Sequence, residues 1–459
     1  MKKNIPVIRG EVYTVEIASF GHSGEGVGRY EDFTIFVPGA IVGEQVEVRI
    51  SEVKKTYAKG ILQKVLTPSP DRTEPRCEIY AACGGCQLQH LSYEGQLKAK
   101  QQQVSDAMER IGKQKDLLVY PTIGAENPWN YRNKMQFPVG RDGARTIVGC
   151  FAQGSHAIID TKNCCIQQEE NNRIANAVRE IVEALRIPVY NEQKKTGCLR
   201  HVIGRAISGG IMVVLVTATD TFPQADLFVS RLREKMPDVV SLMQNINTKT
   251  TNVIMGSKTR LLWGKEQIEA KLGDLVFQIS ARSFFQVNTR QAEILYEQAL
   301  SYAGLTGSET VIDAYCGTGT ISLFLARKAK RVIGIEIVEP AVLDARKNAK
   351  ENGIENVEFV VGDATKVMPR LYKDGLRPDV IVVDPPRAGC TPEVLQAFSE
   401  MQPERIVYVS CNPASLARDI AILSELGYKA EKVQPVDMFS QTFHVESIAL
   451  LQRKISKNP

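Results

Sequence analysis

The chain has 459 residues, 43% hydrophobic and 24% charged, with a formal net charge of +5. That length exceeds what one hydrophobic core serves, so two or three domains are expected, and the composition excludes collagen-like, mucin-like and disordered classes. The charge is compatible with a polyanionic partner without arguing for one. The longest apolar run, residues 211–218, is too short to span a bilayer. The opening MKKNIPVIRG lacks the apolar segment of a secretory signal, so a cytoplasmic location without membrane association is expected.

From the amino terminus, residues 11–18, 45–53 and 60–66 alternate polar and apolar side chains, residues 34–37 form a short strand, and Gly21, Gly24, Gly26 and Gly28 punctuate a turn. Short strands with glycine turns within residues 1–67 predict a small closed barrel of the oligonucleotide-binding shape. Lys54, Lys55 and Lys59 are candidate phosphate contacts there, with Tyr57 able to stack on a base. Thr67-Pro68-Ser69-Pro70 reads as a linker into a central α+β region, residues 68–280. Cys77, Cys83 and Cys86 open that region as a compact thiol triad, with a fourth thiol available at Cys164 or Cys165. In a reducing compartment such a cluster indicates a metal rather than disulfides, and either zinc or an iron-sulfur cluster suits four thiolates.

A helix is predicted over 92–111, capped by Ser92 and ended by Gly112. Trp129-Asn130-Tyr131-Arg132-Asn133-Lys134 interleaves aromatic and basic residues, which suits either a packed strand start or an RNA-facing wall. A helix over 169–185 and a strand over 210–218 follow. His22, His90, His156 and His201 are scattered and define no site.

Residues 281–459 change character. Apolar strands at 311–315, 331–337, 357–361, 380–383 and 406–410, with helices at 319–329 and 340–352, predict βαβ units and a mainly parallel, Rossmann-like sheet. The string Asp313-Ala314-Tyr315-Cys316-Gly317-Thr318-Gly319-Thr320 lies between a strand and a helix, where glycines admit a close ligand. Glu336 ends the next strand, the position of an acid that binds a ribose. Ser322 breaks the dinucleotide fingerprint and there is no phosphate-loop lysine, so the pattern indicates some other nucleoside-containing cofactor. Three further strings sit beside apolar strands: Asp384-Pro385-Pro386-Arg387, Ser410-Cys411-Asn412-Pro413 and His444-Val445-Glu446. Ligands of parallel sheets bind at the carboxyl ends of strands, so Asp384 and Cys411 are expected to face one crevice.

Together with Phe284-Phe285-Gln286-Val287-Asn288, these strings resemble the motif set of the RNA 5-methyluridine methyltransferase family, and the glycine string resembles the first motif of class I S-adenosylmethionine-dependent methyltransferases. The resemblance implies that Gln286, Tyr315, Glu336 and Asp384 line the S-adenosylmethionine site, with Asp363 near the adenine. It makes Cys411 the nucleophile and Glu446 the base. The chemistry explains these residue types. Carbon 5 of uracil is a poor nucleophile until a thiolate adds to carbon 6, and a base must then remove the carbon 5 proton.

The barrel strings Gly21-His22-Ser23-Gly24-Glu25-Gly26-Val27-Gly28 and Phe36-Val37-Pro38-Gly39-Ala40 are similar to the TRAM domain. The thiol spacing resembles the branch acting on 23S ribosomal RNA, which implies a structural [4Fe-4S] cluster on Cys77, Cys83, Cys86 and, from the string Asp160-Thr161-Lys162-Asn163-Cys164, Cys164. RNA is thus the implied partner, with no obligate protein partner. A tRNA uridine as target, a nitrogen-methylating enzyme and a non-catalytic RNA-binding protein are the alternatives.

Overall fold

The computed structural model describes residues 5–454; residues 1–4, which begin the opening segment, and 455–459 lie outside the described residues. Val12–Phe20 (β1), Gly26–Tyr30 (β2), Phe33–Val37 (β3), Gln45–Val53 (β4) and Tyr57–Thr67 (β5) close into a barrel in the order β1-β2-β3-β5-β4. Alternation turns Val15, Ile17, Ile35, Val37, Val46 and Val48 into its core, and closure leaves no free sheet edge. Gly60 is required there, because a Cβ would stand 2.0 Å from Cγ1 of Val48. The linker is tied down by Arg72, whose Nε lies 2.5 Å from the buried Glu44 carboxylate.

Tyr93–Arg110 (α1) is capped by the Ser92 hydroxyl, which accepts from the Gly95 N–H at 3.1 Å. Its inner face carries Val104 and Met108 into the core of the carboxyl-terminal sheet. Leu118–Val119 (β6) joins that same sheet.

The central region folds as a seven-stranded sheet. Its strands are Lys134–Asp142 (β7), Arg145–Phe151 (β8), Ile158–Asp160 (β9), Leu199–Ile207 (β10), Gly210–Thr217 (β11), Val239–Ile246 (β12) and Lys258–Gly264 (β13), in the order β13-β12-β11-β10-β7-β8-β9. Helices Glu169–Ala184 (α2) and Ala225–Lys235 (α3) cover one face through Ile174, Val178, Phe228 and Leu232. A hairpin, Gln267–Leu272 (β14) and Leu275–Ser280 (β15), leads into the last third.

There Thr289–Ala303 (α4) precedes Thr310–Ala314 (β16), Thr320–Ala326 (α5), Arg331–Glu336 (β17), Glu339–Glu351 (α6), Val357–Val361 (β18) and Ala364–Lys373 (α7). Val380–Val383 (β19), Pro392–Met401 (α8), Arg405–Ser410 (β20), Pro413–Glu425 (α9), Tyr428–Val436 (β21) and Glu446–Arg453 (β22) complete it. The sheet order is β18-β17-β16-β19-β20-β22-β21-β6. The predicted parallel strands are present, from β18 to β20. Beyond them β22 runs antiparallel to both β20 and β21, which the parallel expectation did not include. The first strand stops at Ala314 because Tyr315 takes a left-handed φ of 68°. Among the described residues no helix is long and apolar enough to cross a membrane.

The segment from Asp437 to Val445, between β21 and β22, gathers contacts from every part of the chain. Asp437 forms a buried ion pair with Lys100 of α1 and accepts hydroxyl hydrogen bonds from Tyr93 at 2.7 Å and Ser440 at 2.6 Å. Gln441 exchanges hydrogen bonds with Gln96 and its carbonyl accepts from the Gln87 and Leu88 N–H groups. Phe443 packs on Phe20 of the barrel, ring centroids 5.8 Å apart. Removing one member of a buried pair leaves an uncompensated charge. Lys100→Met is therefore expected to lower unfolding stability by about 3–5 kcal/mol, whereas Lys98→Met, on the exposed face of α1, changes it by less than about 0.5 kcal/mol. Urea denaturation of the two variants checks this.

Candidate active site

The carboxyl ends of β16, β19 and β20, and the start of β22, face a single cavity of about 1050 Å³. Gln286, Tyr315, Asp384, Cys411 and Glu446 all line it, with Tyr296, Thr320, Arg387 and His444. Glu336 stands one step behind the wall. Its carboxylate accepts from the Gly317 N–H at 3.1 Å and from the Val338 N–H at 2.8 Å, so it shapes the glycine turn. Asp363 caps α7 by accepting from Thr365 N–H and hydroxyl at 2.9 and 2.8 Å.

Local bonding holds the two strand-end loops together. Asn412 caps α9 by accepting from the Ala414 N–H at 3.1 Å, and its amide donates to the Arg387 carbonyl at 3.0 Å. Cys411 and Arg387 are thereby set side by side. The loop after Asp384 is pinned from below, where the Asp419 carboxylate accepts from the Cys390 N–H at 2.8 Å and the Tyr408 hydroxyl at 2.6 Å. The Gln286 backbone is fixed by Asn133, whose side-chain amide donates to its carbonyl at 3.0 Å.

The cavity is acidic but desolvated. Burial pushes Asp384 up to about 7. Burial and then the neighbouring Asp384 raise Glu446 to about 8, with Arg387 opposing them. Beneath the glycine turn, burial lifts Asp313 to about 7 although the Ser322 hydroxyl donates to it at 2.5 Å. The Cys411 thiol, half-buried, is pushed up to about 11 by burial and by the Glu446 and Asp384 carboxylates, with Arg387 pulling the other way. Each effect follows from low dielectric and like charge disfavouring the anion. Tyr296, absent from the sequence reading, is buried on α4 against Phe324, with its hydroxyl directed at Thr320 and Gln286. Only its place on the inward stripe of that helix could have flagged it.

The opposite end of the same cavity is walled by Cys77, Cys83, Cys86, Cys150, Cys164 and Cys165. The expected ligands are thus gathered with both candidates for the fourth position, and with Cys150, which spacing did not single out. Hydrogen bonding from the Cys150 thiol favours the thiolate of Cys83, while burial raises Cys77, Cys86 and Cys164. The donors are all sulfur, which suits a soft metal. Among the described residues, however, no three Cys, His, Asp or Glu side chains are arranged to hold a metal ion. In the barrel, Lys54 and Lys59 both pair with Glu52, at 2.5 and 3.1 Å, and Tyr57 packs edge-on against Phe36.

Sequence and fold are similar to those of known RNA methyltransferases. The family model described as tRNA (Uracil-5-)-methyltransferase matches residues 92–454, and the TRAM domain model matches residues 6–62. An uncharacterised RNA methyltransferase of Clostridium tetani is 50% identical over 453 residues, covering 98% of each chain. Another from Halalkalibacterium halodurans is 50% identical over 455 residues, covering 99% of each. The crystal structure of the Pyrococcus abyssi tRNA (uracil-54, C5)-methyltransferase in complex with S-adenosyl-L-homocysteine superposes with a TM-score of 0.77 at 28% identity, covering 96% of this chain and all of that one. The chain belongs to the tRNA (uracil-5-)-methyltransferase family, and is an S-adenosylmethionine-dependent RNA uracil-C5 methyltransferase with an amino-terminal TRAM domain.

Proposed function

We propose that Cys411 is the nucleophile and Glu446 the base of this methyl transfer, and that the substrate is a uridine of 23S ribosomal RNA. The observation that carries the catalytic assignment is the meeting of Cys411, Glu446, Asp384 and Gln286 in one cavity, from parts of the chain otherwise far apart. The Cys411 thiolate adds to carbon 6 of the flipped-out uracil, forming a C–S bond and an enolate. Carbon 5 then takes the methyl group, breaking the sulfur–methyl bond of S-adenosylmethionine and releasing S-adenosylhomocysteine. Glu446 accepts the carbon 5 proton, the double bond reforms and the thiolate leaves. Gln286, Tyr315, Glu336 and Asp384 are assigned to the methyl donor, Glu336 through its hold on the glycine turn.

The ribosomal target rests on the thiol wall, which resembles that of the 23S branch. Within the same reading, Cys77, Cys83, Cys86 and Cys164, which line one end of the cavity, would hold a structural [4Fe-4S] cluster. Iron and acid-labile sulfide on anaerobically purified protein test this, and zinc in their place would reject it. Domain limits of 1–67, 68–280 and 281–459 complete the proposal, with α1 and β6 crossing into the last unit by packing.

Incubation with labelled S-adenosylmethionine and unmodified 23S transcript is expected to yield 5-methyluridine. Label on transfer RNA alone would move the target, and label on a nitrogen would reject the carbon chemistry. Cys411→Ala is expected to lose turnover entirely. Glu446→Gln is expected to add and methylate but not eliminate, leaving a protein–RNA adduct that survives denaturing electrophoresis. The thiol also has its own readout. Alkylation of Cys411 by iodoacetamide in the free protein is expected to climb with pH toward about 11, beyond the value of roughly 8.5 for a free thiol. Glu446→Gln removes an anionic neighbour and shifts that profile down, whereas Arg387→Gln shifts it up. Peptide mass spectrometry across pH checks both signs.

A further inference from the structure

The stretch that leads into β7 sorts its side chains by parity. Tyr131 and Asn133 are buried and structural: the Tyr131 hydroxyl donates to the Ser440 carbonyl at 3.0 Å, and the Asn133 side chain donates to Gln286 and to the Thr289 hydroxyl. Arg132 and Lys134, on the other parity, line the cavity instead. The backbone between them is clamped on both sides. The Asn130 and Arg132 N–H groups donate to the Cys165 and Ile166 carbonyls at 2.9 Å, and the Asn133 N–H donates to Val287 at 2.7 Å. A rigid two-residue cationic step therefore stands between the thiol loop and the Gln286 loop.

These cations lack counter-charges. Lys134 sits opposite Arg205 of β10 in the strand register, so the two side chains share one face of the sheet. Arg205 is 1% exposed; its Nη2 reaches the Ser283 carbonyl, but Nε and Nη1 have no partner. Among the described residues no carboxylate forms an ion pair with Arg132, Lys134, Arg205 or Arg387. Desolvation, Arg205 and Arg132 together hold the Lys134 ammonium down at about 7. A buried cation without a partner is costly, and a free protein tolerates it where a ligand supplies the missing charge. Burial depresses the protonation of His444, and the nearby Arg387, Lys100 and Arg132 charges add to that effect. The row runs from Arg387 beside Cys411, past Arg132, to Lys134.

We propose that Arg132 and Lys134, with Arg205 as a fixed charge behind them, form a binding site for a backbone phosphodiester of the RNA next to the target nucleotide. A row of cations leading away from the nucleophile fits a chain of phosphates better than the single carboxylate of a methyl donor. The glycine turn and Glu336, assigned above to that donor, lie at the ends of β16 and β17. The proposal rests on the reading that a uridine enters this cavity, and adds which wall holds its backbone.

Binding of unmodified 23S transcript by wild-type protein, Lys134→Gln, Lys134→Arg and Arg132→Gln, measured across salt concentrations, tests it. Lys134→Gln is expected to weaken RNA binding about tenfold and to reduce the salt slope by about 0.7–0.9, the loss of one phosphate contact. Arg132→Gln should behave alike, Lys134→Arg should retain both properties, and S-adenosylmethionine affinity by calorimetry should be unchanged in all. An unaltered slope in Lys134→Gln, or a selective loss of cofactor affinity, overturns the phosphate site. Identifying the wild-type product separates the two readings. If no 5-methyluridine forms while Lys134→Gln still loses slope, the C5 reading fails and the phosphate site stands.

Discussion

A lysine and an aspartate with no exposed surface, 337 residues apart in sequence, face one another between α1 and the loop after β21. Burial alone lowers the Lys100 pKa, and Asp437 counteracts that shift. Each charge is tolerable only because the other is present, and because Tyr93 and Ser440 complete the shell of the carboxylate. Such a pair contributes little net stability against an apolar substitute, but it penalises every arrangement in which the partners are separated. Here the penalised alternatives include any docking of α1 out of register with the loop that ends at Glu446. The direction in which the proposed base points is thus set by a helix from the first quarter of the chain.

The same low dielectric governs the cavity. Asp384 and Glu446 in the cavity, and Asp313 beneath the glycine turn, all sit above the ordinary carboxylate range because burial disfavours their charged forms. A sulfonium-bearing methyl donor reverses that balance. Its positive charge favours the ionised carboxyls, and it offsets the repulsion that Glu446 and Asp384 exert on the Cys411 thiolate. On the proposed assignment, donor binding would therefore be coupled by electrostatics to activation of the Cys411 thiol, with Arg387 as the permanent member of the same balance.

What the sequence made legible was whatever has a local signature. Strand-ending strings such as Asp384-Pro385-Pro386-Arg387 and Ser410-Cys411-Asn412-Pro413 were readable because buried parallel strands are short apolar runs whose carboxyl ends face ligands. The barrel was readable because its strands alternate and its turns need glycine. Long-range partners were not readable. Lys100 and Gln96 look like ordinary polar residues of an exposed helix, and nothing local shows that Asp437 and Gln441 will cover them. Lys59 was legible as charge but not as a partner of Glu52, which lies opposite it in the β4–β5 pairing. The antiparallel end of the last sheet has no local signature either: β21 mixes Lys429, Glu431, Lys432 and Gln434 with its apolar residues, and the direction of the apolar run in β22 is fixed by the chain's path and not by its composition.

The thiol wall and the reaction centre look like separate devices in sequence, yet they share backbone. Gln87 and Leu88, immediately after Cys86, donate their N–H groups to Gln441 in the loop that delivers Glu446. Cys165 and Ile166, on the other thiol segment, accept from Asn130 and Arg132, and Asn133 then bonds the Gln286 and Val287 backbone. Two independent hydrogen-bonded paths thus join the thiols to the walls of the catalytic cavity. The one through Gln441 reaches the proposed base, and the one through Asn133 reaches the residue assigned to the methyl donor. The thiol segments are thus hydrogen-bonded to both the Gln441 loop and the Gln286 loop. Ordering of the thiol segments therefore bears, through backbone hydrogen bonds, on two walls of the cavity.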